Sequence, residues 1–133
     1  MAIADSPSKQ PGISKDGSIH IVIAEDNAIT RRMIELAVTH LGWTFDSAAD
    51  GLEALSAAER TAASLSLVLA DFGMPKMTGI ELAKALKALP SLAKVPVLLM
   101  GSPHEELEAV AAGCDGFLTK PISMKALLEA LNL

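Results

Sequence analysis

Short apolar runs alternate along this chain with longer stretches in which apolar residues recur every three or four positions. The run His20-Ile21-Val22-Ile23-Ala24 stops abruptly at Glu25-Asp26-Asn27, the profile of a buried parallel strand ending in a polar loop. Ile29, Met33, Leu36, Ala37 and Leu41 then follow at helical spacing, with Gly42 as the stop. Residues 44 to 48 form a weaker strand candidate, and Asp50-Gly51 turns into a second helix over 52 to 60. Leu65 to Ala70 gives a third strand that ends at Asp71, followed by a helix over 79 to 89 that Pro90 breaks. A strand over 95 to 100, a short helix over 105 to 112 and a brief strand over 116 to 119 come next. A last helix places Met124, Leu127, Leu128 and Leu131 on one face.

Five strands alternating with five helices predict an α/β fold: a doubly wound parallel sheet with helices on both faces, because right-handed crossovers leave few other arrangements. Sites in such sheets lie at the carboxyl ends of the strands. Glu25, Asp26, Asp71 and Lys120 all fall at predicted carboxyl ends of strands one, three and five, so they are expected to converge.

Composition narrows the function classes. With 133 residues the chain fits one domain, and its 50% hydrophobic and 20% charged residues suit a globular protein. Residues 1 to 17 mix Pro, Gly, Ser and Lys without periodicity, which predicts a flexible N-terminal tail or linker before a domain over 18 to 133. No apolar stretch resembles a signal peptide or a membrane span, so a cytoplasmic address without membrane association is expected. The net charge of −5 argues against a nucleic-acid partner, and the adjacent Arg31 and Arg32 read as solvated helix surface. Cys114, the single cysteine, reads as a small packing residue without chemistry. His20, His40 and His104 lie on different elements without ligand spacing, and Met74 and Met77 read as packing residues.

Three carboxylates brought within a few ångströms repel one another by about 4 kcal/mol per pair at ~4 Å and an effective dielectric near 20. A hard divalent cation would offset that charge; Mg²⁺, or Mn²⁺, takes one or two carboxylates and leaves room for phosphate oxygens. In such a site Asp71 can act as a nucleophile that forms an acyl phosphate, with the Lys120 ammonium balancing charge on the transferring group. The competing reading is local: Glu25 and Asp26 cap the first helix, and Lys120 is a surface cation.

The blocks Ile21-Val22-Ile23-Ala24-Glu25-Asp26-Asn27, Leu67-Val68-Leu69-Ala70-Asp71-Phe72-Gly73-Met74-Pro75-Lys76-Met77-Thr78-Gly79 and Gly113-Cys114-Asp115-Gly116-Phe117-Leu118-Thr119-Lys120-Pro121 closely resemble the receiver domain of two-component response regulators. The resemblance runs from about Ser18 to Leu133 with the blocks in the family's order. It implies a flavodoxin-like sheet of order 2-1-3-4-5. It further implies Mg²⁺ held by Glu25, Asp26, Asp71 and the Gly73 backbone carbonyl, phosphorylation of Asp71, and Lys120 paired with the phosphoryl group. The Lys120-Pro121 bond is expected to be cis, aiming the lysine inward. The implied phosphodonor is a histidine kinase or a histidine phosphotransfer protein, and the implied output is a downstream protein target, for a stand-alone regulator or a receiver within a hybrid kinase.

The sequence departs from that family at its switch. Receivers carry Thr or Ser at the end of strand four and an aromatic residue, often Tyr, on strand five. Here Gly101 takes the hydroxyl position, Ser102 follows it, and Phe117 takes the aromatic position without a hydroxyl. The segment from Gly101 to Phe117 also looks short, so helix four is expected to be truncated or reoriented. Two other classes compete: a pseudo-receiver that serves as a constitutive interaction module, and a phosphatase of the haloacid-dehalogenase type. The latter class carries a second Asp two residues after its nucleophile, where this chain has Gly73.

Overall fold

The computed structural model describes residues 18–130. The tail over 1 to 17 and the predicted apolar contact of Leu131 lie outside the described residues. Strands β1 (His20–Ala24), β2 (Thr44–Ala48), β3 (Leu65–Asp71), β4 (Val97–Gly101) and β5 (Gly116–Thr119) form one parallel sheet in the order β2-β1-β3-β4-β5. Helices α1 (Ala28–His40), α2 (Gly51–Arg60), α3 (Gly79–Ala88), α4 (Glu106–Ala111) and α5 (Met124–Ala130) connect and cover the strands. The flavodoxin-like order expected from the sequence is the order observed.

Alternate residues of the central strands feed two separate cores, which is why those strands read as unbroken apolar runs. Ile21, Ile23, Leu67, Leu69, Leu98, Met100 and Leu118 pack against Ile34, Ala37 and Val38 of α1 and Leu127 and Ala130 of α5. Val22, Ala24, Val68, Ala70, Val97, Leu99 and Phe117 face α2, α3 and α4 through Ala54, Ala57, Ala58, Leu82, Ala83, Leu86 and Ala109. The many alanines on α2 let that helix lie close to the sheet.

Local chemistry sets the element ends. Asn27 Oδ1 accepts from Thr30 N–H (2.9 Å), Asp50 Oδ1 from Glu53 N–H (2.8 Å), and Thr78 with Glu81 forms a reciprocal capping box. Gly42 (φ 78°) and Gly113 (φ 93°) stop α1 and α4 in the left-handed region. Strand β4 begins at Val97, not at the expected Val95: Val95 N–H turns back to Leu92 O (3.0 Å) and Pro96 has no N–H to give the ladder. Helix α4 is six residues long and follows a single 3-10 turn over Pro103–Glu105.

Two expected helix faces need correction. Ile29, Met33 and Leu36 were expected on the buried face of α1, yet Ile34, Ala37 and Val38 are the buried residues while Ile29 is 83% and Leu36 48% exposed. Two apolar stripes overlap on this helix, and Ile29 and Met33 line a groove with Pro121 and Ile122 in place of a core contact. Met124, expected on the apolar face of α5, is likewise exposed, while Leu127 and Leu128 pack as expected, together with Ala130.

Candidate functional site

Parallel order brings the ends of β1, β3 and β5 to one edge, with β4 beside them. Glu25 follows β1 directly and is wholly buried; its backbone N–H is tied to Ala48 O at 3.0 Å. Its Oε2 accepts from Asn27 N–H (3.0 Å), whereas Oε1 is buried without a hydrogen-bond partner among the described residues. Asp71, the last residue of β3, is 5% exposed, and Asp26 lies exposed at the rim. One oxygen from each of the three carboxylates falls within 4.8 Å of the others. Lys120 Nζ stands 2.5 Å from Asp71 Oδ1 and 3.7 Å from Glu25 Oε1, an ionic distance too long for a hydrogen bond to the glutamate. The Lys120-Pro121 peptide is cis.

The helix-cap alternative for Glu25 and Asp26 loses its basis, since the residue capping α1 is Asn27. Lys120 is not a free surface cation either. Arg31, expected as solvated surface, is instead half-buried and donates from Nη1 to the Glu25 carbonyl (2.8 Å), bracing the β1–α1 turn; Arg32 alone fits the expectation, pairing with Glu35 at 3.3 Å. The spacing of Arg31 six residues after Glu25 held no signal for this contact.

Burial raises the Glu25 carboxyl above its ordinary range, and the nearby Asp71 charge adds to the effect against the Asn27 hydrogen bond and the Lys120 charge. Burial also raises Asp71, only partly countered by its hydrogen bond and attraction to Lys120. For Lys120, burial works to lower the pKa, but the hydrogen bond and charge of Asp71, with Glu25 and Asp26, outweigh it and hold the ammonium above its usual range. The site thus carries excess negative charge that one lysine does not neutralise. Glu25 Oε1, an unpartnered buried oxygen facing two other carboxylates, suits a hard cation with oxygen ligands.

The loop after β3 is seated by close backbone approaches. Gly79 N–H donates to Phe72 O (2.9 Å), and a β-carbon at 79 would come 2.4 Å from Asp71 O. Lys76 adopts a left-handed φ of 68° with Nζ 3.6 Å from Asp50, while Met74 is buried as expected. Gly73 lies exposed in this loop with open space around it.

At the end of β4, Gly101 is buried between the strands that carry Asp71 and Lys120. Phe117 is fully buried, and its ring lies 3.2 Å from where a Gly101 β-carbon would stand. Ser102 N–H donates to Glu105 Oε1 at 2.7 Å. Sequence reasoning singled out Gly101, Ser102 and Phe117 but not Glu105, for which the only signal was Ser-Pro-x-Glu spacing at a helix start. Beside the site a groove of about 520 Å³ runs between α1 and the segment after β5, lined by Ile29, Thr30, Met33, Lys120, Pro121 and Ile122. Among the described residues no helix is long and apolar enough to cross a membrane.

Comparison with known proteins agrees with this arrangement. A two-component response regulator of Oryza sativa subsp. japonica, ORR1, is 32% identical over 127 residues, covering 87% of this chain and 55% of the regulator. The chain therefore spans about half the length of that relative. The chemotaxis response regulator CheY4 of Vibrio cholerae superposes with a TM-score of 0.78 at 30% identity, over 84% of this chain and 94% of CheY4. The receiver domain of Ssk1 from Saccharomyces cerevisiae, solved in complex with the histidine phosphotransfer protein Ypd1, gives a TM-score of 0.73 at 25% identity, over 84% of each chain. The family described as response regulator receiver domain matches residues 21–132, and with the sheet order and these relatives it establishes that this chain belongs to the receiver domains of two-component signalling.

Proposed function

We propose that this receiver accepts a phosphoryl group on Asp71 from a histidine kinase or a histidine phosphotransfer protein and passes the signal to a downstream protein. The carrying observation is the placement of Asp71: a nearly buried carboxylate at hydrogen-bond distance from Lys120, beside the unpartnered oxygen of Glu25. Glu25, Asp26, Asp71 and the Gly73 carbonyl would hold Mg²⁺ or Mn²⁺, which when bound offsets negative charge on the phosphoryl oxygens. An Asp71 oxygen attacks the phosphorus of the donor's phosphohistidine; the new O–P bond forms as the P–N bond breaks, and the electron pair returns to the imidazole, which takes up a proton. Burial strips water from Asp71 and so strengthens it as a nucleophile. Lys120 orients the carboxylate before transfer and compensates charge on the transferred group afterwards.

The groove lined by exposed Ile29 with Met33, Pro121 and Ile122 borders Lys120 and offers the donor an apolar seat next to the acceptor. A net charge of −5 supports protein partners over nucleic acid, and the chemistry needs neither membrane nor export, consistent with a cytoplasmic role. The phosphorylated Asp71 makes this a signalling acceptor that takes part in its own phosphorylation, without a turnover substrate of the dehalogenase type.

Intact-mass measurement after incubation with acetyl phosphate and Mg²⁺ tests the reading. The native chain should gain the mass of one phosphoryl group, and Asp71→Asn or excess chelator should abolish the gain. An increment that persists in Asp71→Asn disproves Asp71 as acceptor, and no increment under any condition favours the constitutive interaction module.

A further inference from the structure

Gly101 sits where the nucleophile strand and the lysine strand both meet β4. Phe72 N–H donates to Met100 O at 2.7 Å on one side, and Lys120 N–H donates to Gly101 O at 2.7 Å on the other. A β-carbon at 101 would lie 2.5 Å from Glu105 Oε1 and 3.0 Å from Phe72 Cβ. The Glu105 carboxylate therefore fills the room that any side chain at 101 would need. It is held there by Ser102 N–H (2.7 Å), while Glu105 N–H closes the turn on Ser102 O (2.9 Å). A fourth carboxylate is thus folded back against the end of β4, the strand beside the one that carries Asp71. Its charge-assisted hydrogen bond favours this position, and negative charge added at the end of β3 would oppose it.

We propose that Glu105 is a charge-sensitive latch: phosphorylation of Asp71 expels its carboxylate from beside Gly101, breaking the bond to Ser102 N–H and freeing the 3-10 turn that leads into α4. The proposal rests on the reading of Asp71 as phosphoacceptor. Phosphorylation replaces a singly charged carboxylate with a dianionic acyl phosphate, adding both charge and bulk at the end of β3. Glu105 is half-buried, so its carboxylate has solvent to move into. The turn it releases carries directly into α4, whose Leu107 is 84% exposed and whose Val110 is 45% exposed. Movement of the latch would re-aim that apolar pair. Here the signal is a push on an acidic side chain, in a chain whose Gly101 has no hydroxyl for the phosphoryl group to pull.

Hydrogen exchange at the Ser102 amide, resolved by NMR with and without beryllofluoride and Mg²⁺, reads the latch directly. In the native chain the resting amide should be protected, and beryllofluoride should speed its exchange about tenfold or more, the loss expected for one charge-assisted hydrogen bond. Glu105→Ala should exchange fast from the outset and not respond further. Glu105→Gln keeps an acceptor oxygen but no charge, so it should stay protected with beryllofluoride bound. Unchanged Ser102 protection in the native chain, or a Glu105→Gln response equal to the native one, overturns the latch while phosphoryl uptake from acetyl phosphate still upholds Asp71 as acceptor. Absence of that uptake overturns the acceptor reading and the latch with it.

Discussion

Glu25 is the residue that concentrates the electrostatic tension of the site, because one of its oxygens is buried without a hydrogen-bond partner among the described residues while the other accepts from Asn27 N–H. Removing it with Asp26 should therefore separate metal binding from stability. We expect Glu25→Ala/Asp26→Ala to weaken Mg²⁺ binding by about 100-fold or more, since each carboxylate near a cation contributes several kcal/mol at close range, as measured by titration calorimetry. Without metal the double variant should be no less stable than its parent, because relief of desolvation and repulsion offsets the lost contacts. Asp71 gives a pH test of the same tension. Its folded pKa is raised above the ordinary value of 3.8, so the folded state binds this proton more tightly than the unfolded one. Its contribution to stability is accordingly lost as pH rises from that ordinary value through the raised one. In metal-free buffer, Asp71→Asn should gain in Tm relative to the native chain across that rise and level off once Asp71 has ionised; a difference that shrinks with rising pH would contradict the assignment. Glu25, Asp26, Asp71 and Lys120 were legible because polar residues interrupt apolar runs at strand ends. Glu105 and Arg31 were not, because each acts through a turn whose direction only the packed strands set.

At the scale of elements, the site depends on how closely the β3–α3 loop is pressed against the start of α2. A β-carbon on Gly51 would stand 2.1 Å from Met77 O and 2.6 Å from Met77 Cβ, a clash with backbone that no rotamer relieves. Gly51→Ala should cost about 2 kcal/mol or more in urea unfolding, and should weaken Mg²⁺ binding by shifting the loop that holds Gly73. By contrast, Asp50→Ala removes only the cap on Glu53 N–H and its ion pair with Lys76, and should cost about 1 kcal/mol. The element order and most boundaries followed from periodicity and capping residues. The faces of α1 and α5 followed only in part: Ala37, Leu41, Leu127 and Leu128 pack as their spacing indicated, but Ile29 and Met124 fit a helical stripe equally well and are exposed. Which of two overlapping stripes is buried depends on which elements the helix packs against.

For the molecule as a whole, the exposed Ile29 gains a reason once Lys120, Pro121 and Ile122 are seen across the groove from it. If a protein donor seats there, Ile29→Ser/Met33→Ser should slow phosphotransfer from a phosphorylated histidine phosphotransfer protein by about tenfold or more, as loss of apolar anchors does at interfaces. Uptake from acetyl phosphate should be unchanged, because that donor needs no docking surface; equal slowing with both donors would show damage to the site itself. The amino-acid sequence by itself determined the alternation of strand and helix, and from it the parallel sheet and the gathering of Glu25, Asp26, Asp71 and Lys120 at one edge. It could do so because strand period, caps and crossover handedness are local or nearly so. Only the tertiary structure decided that one Glu25 oxygen is stranded, that Glu105 fills the hollow beside Gly101, and that Ile29 borders a groove and not a core. Each of those depends on atoms brought together from elements distant along the chain or across a packed turn, where distances of a few tenths of an ångström separate a contact from a gap.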